Sequence, residues 1–213
     1  MKREIILAPS LLAANYGYAG KQLKEAEDAG VTWFHVDVMD GMFVPNLGIG
    51  MDMVKSLRKH SDKFFDVHLM IVQPERYIER FIQAGADGIS FHIEATEKVE
   101  ECIEMIRKHG KRAAIAINPD TPIEKIKPYL DKIDMALLMT VFPGYGGQKY
   151  ITDVNAKIKE LREIVGEDFD IEVDGGVNES TVGMALEAGA NVLVAGTAVF
   201  NDDIAGSVKK LLG

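Results

Sequence analysis

The stretch HVDVMDG, residues 35–41, decides the fold and carries the first chemical signal. Successive side chains of a strand leave opposite faces, so His35, Asp37 and Met39 share one face while the two valines take the other. Gly41 ends the strand, and a long loop follows. The imidazole and the carboxylate are therefore expected at the C-terminal end of a buried strand.

Two later strands repeat this arrangement. In DVHLM, residues 66–70, His68 and Met70 share a face, and in EVDGG, residues 172–176, Asp174 stands at the strand end. Two imidazoles and two carboxylates at such ends can converge on one divalent ion, and this mixed ligand set suits Zn²⁺, Fe²⁺, Mn²⁺ or Co²⁺ without choosing among them. The predicted metal ligands are His35, Asp37, His68 and Asp174.

Short apolar, β-branched runs alternate with amphipathic segments eight times along the chain. This pattern predicts parallel strands joined by helical crossovers, an α/β fold of the single (β/α)8 TIM-barrel type over residues 1–213. The predicted strands are 4–10, 32–37, 64–70, 88–92, 112–117, 135–140, 170–173 and 192–195. The predicted helices include 18–29, 74–84, 97–109, 150–165 and 181–188.

Composition narrows the function classes. The 213 residues are 47% hydrophobic and 27% charged, which is typical of a globular protein, and no apolar run is long enough to cross a bilayer. The N-terminus shows no cleavage pattern, so a cytoplasmic protein is expected. A net charge of −9 without a basic stripe argues against nucleic-acid binding but permits a phosphorylated ligand. Cys102 is the only cysteine, which excludes an intramolecular disulfide.

Glycines cluster after three consecutive strands, in PGYGGQ (143–148), Gly175-Gly176 and Gly196-Thr197. Glycine lets main-chain N–H groups approach an anion, and the loops after strands 7 and 8 are the usual phosphate site of this barrel. Plain tight turns are the alternative. We expect a phosphate cradle.

Other side chains near the strand ends leave alternatives open. Met39, Met70 and Met139 could form a hydrophobic floor that keeps water from a reactive intermediate, or could simply fill core gaps. His92 could support a metal ligand from behind or be an interior hydrogen-bonded histidine. His60 and His109 fall near predicted helix ends and are expected at the surface.

HVDVMDGMFVPN, DVHLM, TVFPGYGGQ, VDGGV and AGTAVF together resemble the ribulose-phosphate 3-epimerase family, and the resemblance runs from Ser10 to Phe200. It implies a metal-dependent epimerase of the pentose phosphate pathway that converts D-ribulose 5-phosphate to D-xylulose 5-phosphate, without an organic cofactor and as a homo-oligomer. By motif, Asp37 and Asp174 would be the acid/base pair. Substrate contacts would be Ser10, His68, Gly144, Tyr145, Gly146, Gly147, Gly175, Gly176, Gly196 and Thr197.

The chain departs from the family pattern at a few positions. Phe142 stands at a more often polar place, Thr197 replaces serine, Tyr145 replaces phenylalanine, and residues 48–50 differ from the usual Thr-Phe-Gly. The alternatives are an allulose-6-phosphate 3-epimerase and a non-catalytic phosphosugar-binding barrel. A decarboxylase of the related barrel type would need a lysine that the stretch 66–71 lacks.

Overall fold

The computed structural model describes residues 4–213 and contains one sheet of eight parallel strands. Around the sheet they follow the order β1-β8-β7-β6-β5-β4-β3-β2. The (β/α)8 barrel prediction is confirmed. The strands are β1 (Ile6–Pro9), β2 (Trp33–Met39), β3 (Phe64–Met70), β4 (Gly88–His92), β5 (Arg112–Ile117), β6 (Met135–Met139), β7 (Asp170–Asp174) and β8 (Val192–Ala195).

The barrel closes between β1 and β2. A parallel bridge joins Ser10, just past β1, to His35 of β2. Closure brings the ends of β2, β1, β8 and β7 round to one another, so Asp37 and Asp174, remote in sequence, belong to the same rim.

Seven α-helices pack outside the sheet in the described part of the chain. Between β5 and β6 the expected helix is absent among these residues, and two 3-10 turns, Ile123–Lys125 and Lys127–Tyr129, take its place. Pro122 and Pro128 account for the difference because proline removes a backbone donor and blocks helix propagation. The helices are α1 (Ala19–Asp28), α2 (Met51–Leu57), α3 (Ile78–Ala84), α4 (Val99–Lys108), α5 (Val154–Val165), α6 (Val182–Ala188) and α7 (Ile204–Leu212).

Predicted element ends shift where tertiary contacts decide them. Strand β2 runs to Met39, two residues further than predicted, because it stays paired with β3 through Met70. Helix α5 begins four residues late, because the Ile151 amide donates to the Thr140 carbonyl at the end of β6. The segment predicted to open α3 forms a separate 3-10 turn, Pro74–Arg76.

The barrel interior changes character from bottom to top. Its lower part is an apolar plug of Ile6, Trp33, Met135 and Val192 with small neighbours such as Ala114. Above this plug the inward positions turn polar, because the register pairs His35 with Asp66, Asp37 with His68, and Met139 with Asp174. The plug thus holds the polar side chains near the C-terminal face, where barrels of this kind carry their sites.

No described helix has both the length and the apolar character needed to cross a bilayer.

Arg162 of α5 ties together the connections on the N-terminal side of β7 and β8. Its buried guanidinium donates to the carbonyls of Gly189 (2.9 Å), Gly166 (2.6 Å) and Phe169 (2.7 Å), and to Asn191 Oδ1 (3.0 Å). Each acceptor would lose a charged donor if the guanidinium were removed.

We expect Arg162→Met to lower the free energy of unfolding by about 2–4 kcal/mol, because buried carbonyls left without a donor carry a desolvation penalty. Urea denaturation measures this loss. The control is Arg80→Met at an exposed position, expected to change stability by less than about 0.5 kcal/mol. An equal effect of the two substitutions would contradict the role assigned to Arg162.

Candidate active site

Four predicted side chains meet inside the top of the barrel. His35 and Asp37 come from β2, His68 from β3 and Asp174 from β7, and one donor atom from each lies within 4.8 Å of all the others. The backbone pairing of Asp37 with His68 and the closure of the barrel bring them together.

The spacing of these four donor atoms suits a cation. His35 Nε2 lies 3.4 Å from His68 Nδ1, and Asp37 Oδ1 lies 3.5 and 3.6 Å from these two nitrogens. Asp174 Oδ2 lies 3.8 and 3.7 Å from the same pair. Ligands about 2.1 Å from a tetrahedral ion stand about 3.4 Å apart. The four residues, called the cage below, could therefore hold a metal ion.

The His35 nitrogen that faces away from the cage, Nδ1, contacts a carboxylate. His35 Nδ1 lies 2.7 Å from Asp66 Oδ2 and 3.4 Å from Glu172 Oε1, and all three side chains are fully buried. A proton on Nδ1, donated to Asp66, leaves the lone pair of Nε2 directed into the cage. This is the usual support for a metal-binding histidine.

Asp66 and Glu172 form a buried pair with a single negative charge. Burial and the charge of Asp66 raise the pKa of Glu172 well above its usual value. Burial alone would also raise the pKa of Asp66, but its hydrogen bond with His35 and the charge of that ring lower it. Glu172 is therefore the neutral acid and Asp66 the carboxylate.

The two carboxyl groups of the cage differ in proton affinity. Burial opposes ionisation of Asp37, but His35 and His68 outweigh it and lower its pKa. Burial and the nearby charge of Asp37 raise the pKa of Asp174 to about 7. One group is a ready base and the other can hold a proton near neutrality, which is a pattern of acid/base pairs.

The two imidazoles also differ. Burial disfavours charge on His35, yet Asp37, Asp66 and Glu172 together raise its pKa well above the usual value. Burial lowers the pKa of His68 to about 4, so this ring is neutral at pH 7. When no metal ion is bound, a proton on His35 supplies part of the positive charge that balances the neighbouring carboxylates.

Neighbouring hydroxyl groups contact Asp37 and the backbone of Asp174. The Ser10 hydroxyl donates to Asp37 Oδ2 and leaves Oδ1 facing the imidazoles. The Thr140 hydroxyl donates to the carbonyls of Asp174 (2.9 Å) and Gly175 (2.6 Å), which fixes the end of β7. The Asp37 carboxylate is thus held in one orientation, and the backbone that carries Asp174 is fixed.

A cavity of about 560 Å³ opens above the cage. His35 and His68 are fully buried and are not among its lining residues, so the predicted substrate contact His68 lies behind the cavity wall. All the other predicted site residues line the cavity, namely Ser10, Asp37, Met39, Met70, Met139, Gly144, Tyr145, Gly146, Gly147, Asp174, Gly175, Gly176, Gly196 and Thr197.

The three methionines, predicted as a hydrophobic floor, reach one cavity. Met39, Met70 and Met139 are each at least nine-tenths buried and reach the same cavity as both aspartates. Met39 and Met70 pack against Val44, and Met139 packs against Val141. They provide an apolar surface beside the carboxyl groups.

The glycine loops supply main-chain donors. Gly176 has φ +69°, and a side chain there would collide with the main chain of Tyr150. Among residues 4–213, the amides of Gly176, Gly196 and Thr197 donate to no protein acceptor. No lysine or arginine appears among the described residues lining the cavity. An anion bound there would therefore rely on peptide N–H groups.

Two hydrogen bonds join the loops that roof the cavity. Asn46 Nδ2 donates to the Gly144 carbonyl (2.7 Å), and the Tyr145 hydroxyl donates to the Pro45 carbonyl (2.8 Å). Phe142, which departs from the family pattern, is 52% exposed and is not among the lining residues. Its side chain lies outside the cavity.

His92 lies directly behind the cage. Its Nε2 is 2.9 Å from His68 Nε2, and its Nδ1 is 3.2 Å from Glu94 Oε2. Of the two alternatives open for His92, the structure favours contact with a cage histidine. His109, expected at the surface, is partly exposed and lies 3.4 Å from Glu79.

Comparison with known proteins gives the family. The model of the ribulose-phosphate 3-epimerase family matches residues 6–200. The chain belongs to this family. The ribulose-phosphate 3-epimerase of Bacillus subtilis is 47% identical over 200 residues, which cover 92% of each chain. That of Schizosaccharomyces pombe is 48% identical over 198 residues, covering 92% of this chain and 86% of the relative. The epimerase expected from the motifs is confirmed.

Solved structures of other proteins share the fold. A 3-hexulose-6-phosphate synthase is 17% identical with a TM-score of 0.74 and 98% of each chain covered. A mutant tryptophan synthase alpha-subunit from Pyrococcus furiosus is 19% identical with a TM-score of 0.76 and 100% of each chain covered. At these identities the likeness concerns the barrel alone.

Two buried carboxyl groups beside the cage were not predicted from the epimerase motifs. Asp66 and Glu172 each stand two residues before a predicted ligand, His68 and Asp174, and therefore on the same strand face. Extending the alternation one step towards the barrel bottom would have found both.

We expect the affinity of the cage for Zn²⁺ to rise with pH between about 5.5 and 8. Protons on His35 and Asp174 compete with the ion, and the pKa values of both groups are raised. Raising the pH removes these protons. The affinity should therefore rise by about tenfold per pH unit for each proton that binding releases. Chelator competition at several pH values measures this, and a flat profile would contradict the assignment.

Asp66 and Glu172 should respond differently to amide substitution. Asp66→Asn removes the charged acceptor of His35 and should weaken Zn²⁺ binding by about 10–100-fold. Glu172→Gln replaces a neutral acid with a neutral amide of similar shape and should change affinity less than about threefold. Chelator competition on the folded variants compares them, and the reverse order would refute the protonation states given above.

Proposed function

We propose that the chain interconverts D-ribulose 5-phosphate and D-xylulose 5-phosphate by moving a proton at C3. The observation that carries this proposal is the pair Asp37 and Asp174, which line one cavity with oppositely shifted pKa values. They stand on β2 and β7, three steps apart around the closed barrel. Inversion of a carbon beside a ketone needs a base on one face and an acid on the other.

In the proposed reaction Asp37 removes the C3 proton of D-ribulose 5-phosphate and Asp174 delivers a proton to the opposite face. In the reverse direction the roles exchange. The Ser10 hydroxyl keeps Asp37 in one orientation through Oδ2. In the cage without an ion, burial and the charge of Asp37 raise the pKa of Asp174 to about 7, so this carboxyl group can carry a proton near neutrality. No organic cofactor is required for this exchange.

The cage would hold one divalent ion, for which Zn²⁺, Fe²⁺, Mn²⁺ and Co²⁺ are all suitable. When bound, such an ion supplies positive charge that draws electron density from the ketone and acidifies the neighbouring C–H group. His35 and His68 would be ligands only, since neither lines the cavity.

The remaining residues would bind the substrate and exclude water. Amides of Gly176, Gly196 and Thr197 would hold the phosphate, with the loop at Gly144 to Gly147 closing over it. Met39, Met70 and Met139 would limit exchange of the transferred proton with water.

The cellular setting follows the same proposal. The chain would act in the cytoplasm within the pentose phosphate pathway, as a homo-oligomer and without nucleic-acid partners. The acidic net charge of −9 supports the last point. Light scattering of the purified protein tests the oligomeric state.

A hydrogen-exchange experiment should distinguish the roles of the two aspartates. Asp37→Asn and Asp174→Asn should each lower epimerisation by about 10²–10⁴-fold, because each removes one of the two proton-transfer groups. In deuterated water, Asp174→Asn should still label C3 of ribulose 5-phosphate without inversion, and Asp37→Asn should label C3 of xylulose 5-phosphate instead. Mass spectrometry measures the label, and metal content is measured in parallel.

The control for this experiment is Asp28→Asn, an exposed position at the end of α1, expected to leave turnover unchanged. Near-normal epimerisation by either cage variant would remove that residue from the acid/base pair. No label from the unmodified protein would favour a sugar-phosphate-binding barrel without turnover. A higher kcat/KM for allulose 6-phosphate than for ribulose 5-phosphate would change the assigned substrate.

A further inference from the structure

A line of hydrogen-bonding side chains runs from the cage away from the cavity. His68 Nδ1 faces the cage, and its Nε2 lies 2.9 Å from His92 Nε2. His92 Nδ1 lies 3.2 Å from Glu94 Oε2. Both imidazoles are fully buried, so their ring nitrogens depend on these partners.

The outer end of this line has a fixed polarity. Glu94 Oε1 accepts from the Asn118 amide (2.9 Å) and from the Thr121 hydroxyl. A backbone N–H can only donate, so Glu94 must accept on this side. Although burial alone would raise it, the hydrogen bonds from His92, Asn118 and Thr121 bring the pKa of Glu94 down to about 2. Glu94 is therefore an acceptor on its other side as well.

The loop that presents these donors is itself held in place. Lys157 of α5 donates to the carbonyls of Pro119 (2.5 Å) and Thr121 (2.7 Å). The ring of Phe43 covers His92 with 4.8 Å between ring centres. The geometry around Glu94 and His92 is thus supported from both sides.

The hydrogen bonds run in the same donor-to-acceptor direction along the whole line. His92 must carry its proton on Nδ1 to donate to Glu94, which leaves a lone pair on its Nε2. His68 must then carry its proton on Nε2 to donate to His92. The nitrogen of His68 that remains without a proton is Nδ1, the one that faces the cage.

We propose that Glu94 and His92 are positioning residues that select the Nδ1 lone pair of His68 for the metal ion. The proposal deepens the proposed function, since it rests on the metal site of that function. It assigns the two cage histidines opposite supports, because His35 is held through Nδ1 by Asp66 and offers Nε2, whereas His68 is held through Nε2 and offers Nδ1.

Glu94→Gln tests the proposal because it should reverse the donor-to-acceptor direction of the hydrogen bonds along the line. The amide oxygen is required by the Asn118 N–H, so the amide NH₂ turns to His92 Nδ1 and donates to it. His92 must then donate from Nε2, and His68 is left with its proton on the nitrogen that faces the cage. We expect the affinity for Zn²⁺ to fall by about 10–100-fold.

Nitrogen-15 NMR of the histidine rings reads the same change directly. In the metal-free wild-type protein the proton of His92 should be on Nδ1, and in metal-free Glu94→Gln it should be on Nε2. A merely structural role of Glu94 would not move this signal. The charge-matched control is Asp120→Asn, an exposed carboxylate on the same loop, expected to keep both the affinity and the wild-type ring pattern.

The proposal can be tested on the wild-type protein alone as well as on the variant. A wild-type protein with the His92 proton on Nε2 overturns the proposal, even if Glu94→Gln does not fold. Zn²⁺ affinity of folded Glu94→Gln within twofold of wild type overturns it too. If the ring pattern and affinities are as expected but ribulose 5-phosphate is not turned over, the proposed function fails and the positioning role stands.

Discussion

The structure depends on pairing ionisable groups inside a closed barrel. His35 is the centre of this pairing, since one ring nitrogen contacts Asp66 and the other faces the cage, and both His35 and Asp66 are fully buried. An isolated charge in such a place would be expensive, so each buried carboxylate needs a cation or a proton. The polar interior is stable only as a connected set.

This requirement links stability to chemistry. The apolar plug and the register of β2 on β3 hold the ionisable side chains at one height in the barrel. There the electrostatic fields of these side chains shift the pKa values of the two cage carboxyl groups in opposite directions. The difference between Asp37 and Asp174 is thus a property of the packed barrel and not of either residue alone. The same fields would attract a divalent ion, whose two charges would replace mobile protons.

The strand pattern and the motifs predicted the barrel, and the predicted residues converge because parallel strands end at one rim. Tertiary contacts decided what local patterns could not. The sequence between β5 and β6 has apolar periodicity, but its prolines prevent an α-helix. His92 could not be assigned from its own strand, because its role depends on His68, which lies on the neighbouring strand. The glycine loops predicted a phosphate site, yet only the structure shows that no lysine or arginine among residues 4–213 lines the cavity beside them.

The proposed use of peptide N–H groups at the glycine loops has a consequence for how the site can change in evolution. Recognition by main-chain groups would leave no side chain to delete, so alanine scanning of polar residues would not detect this contribution. Sequence drift there is limited by backbone shape instead, as at Gly176, where any larger residue meets the chain at Tyr150. Such a site constrains conformation while leaving the neighbouring surface free to vary its charge.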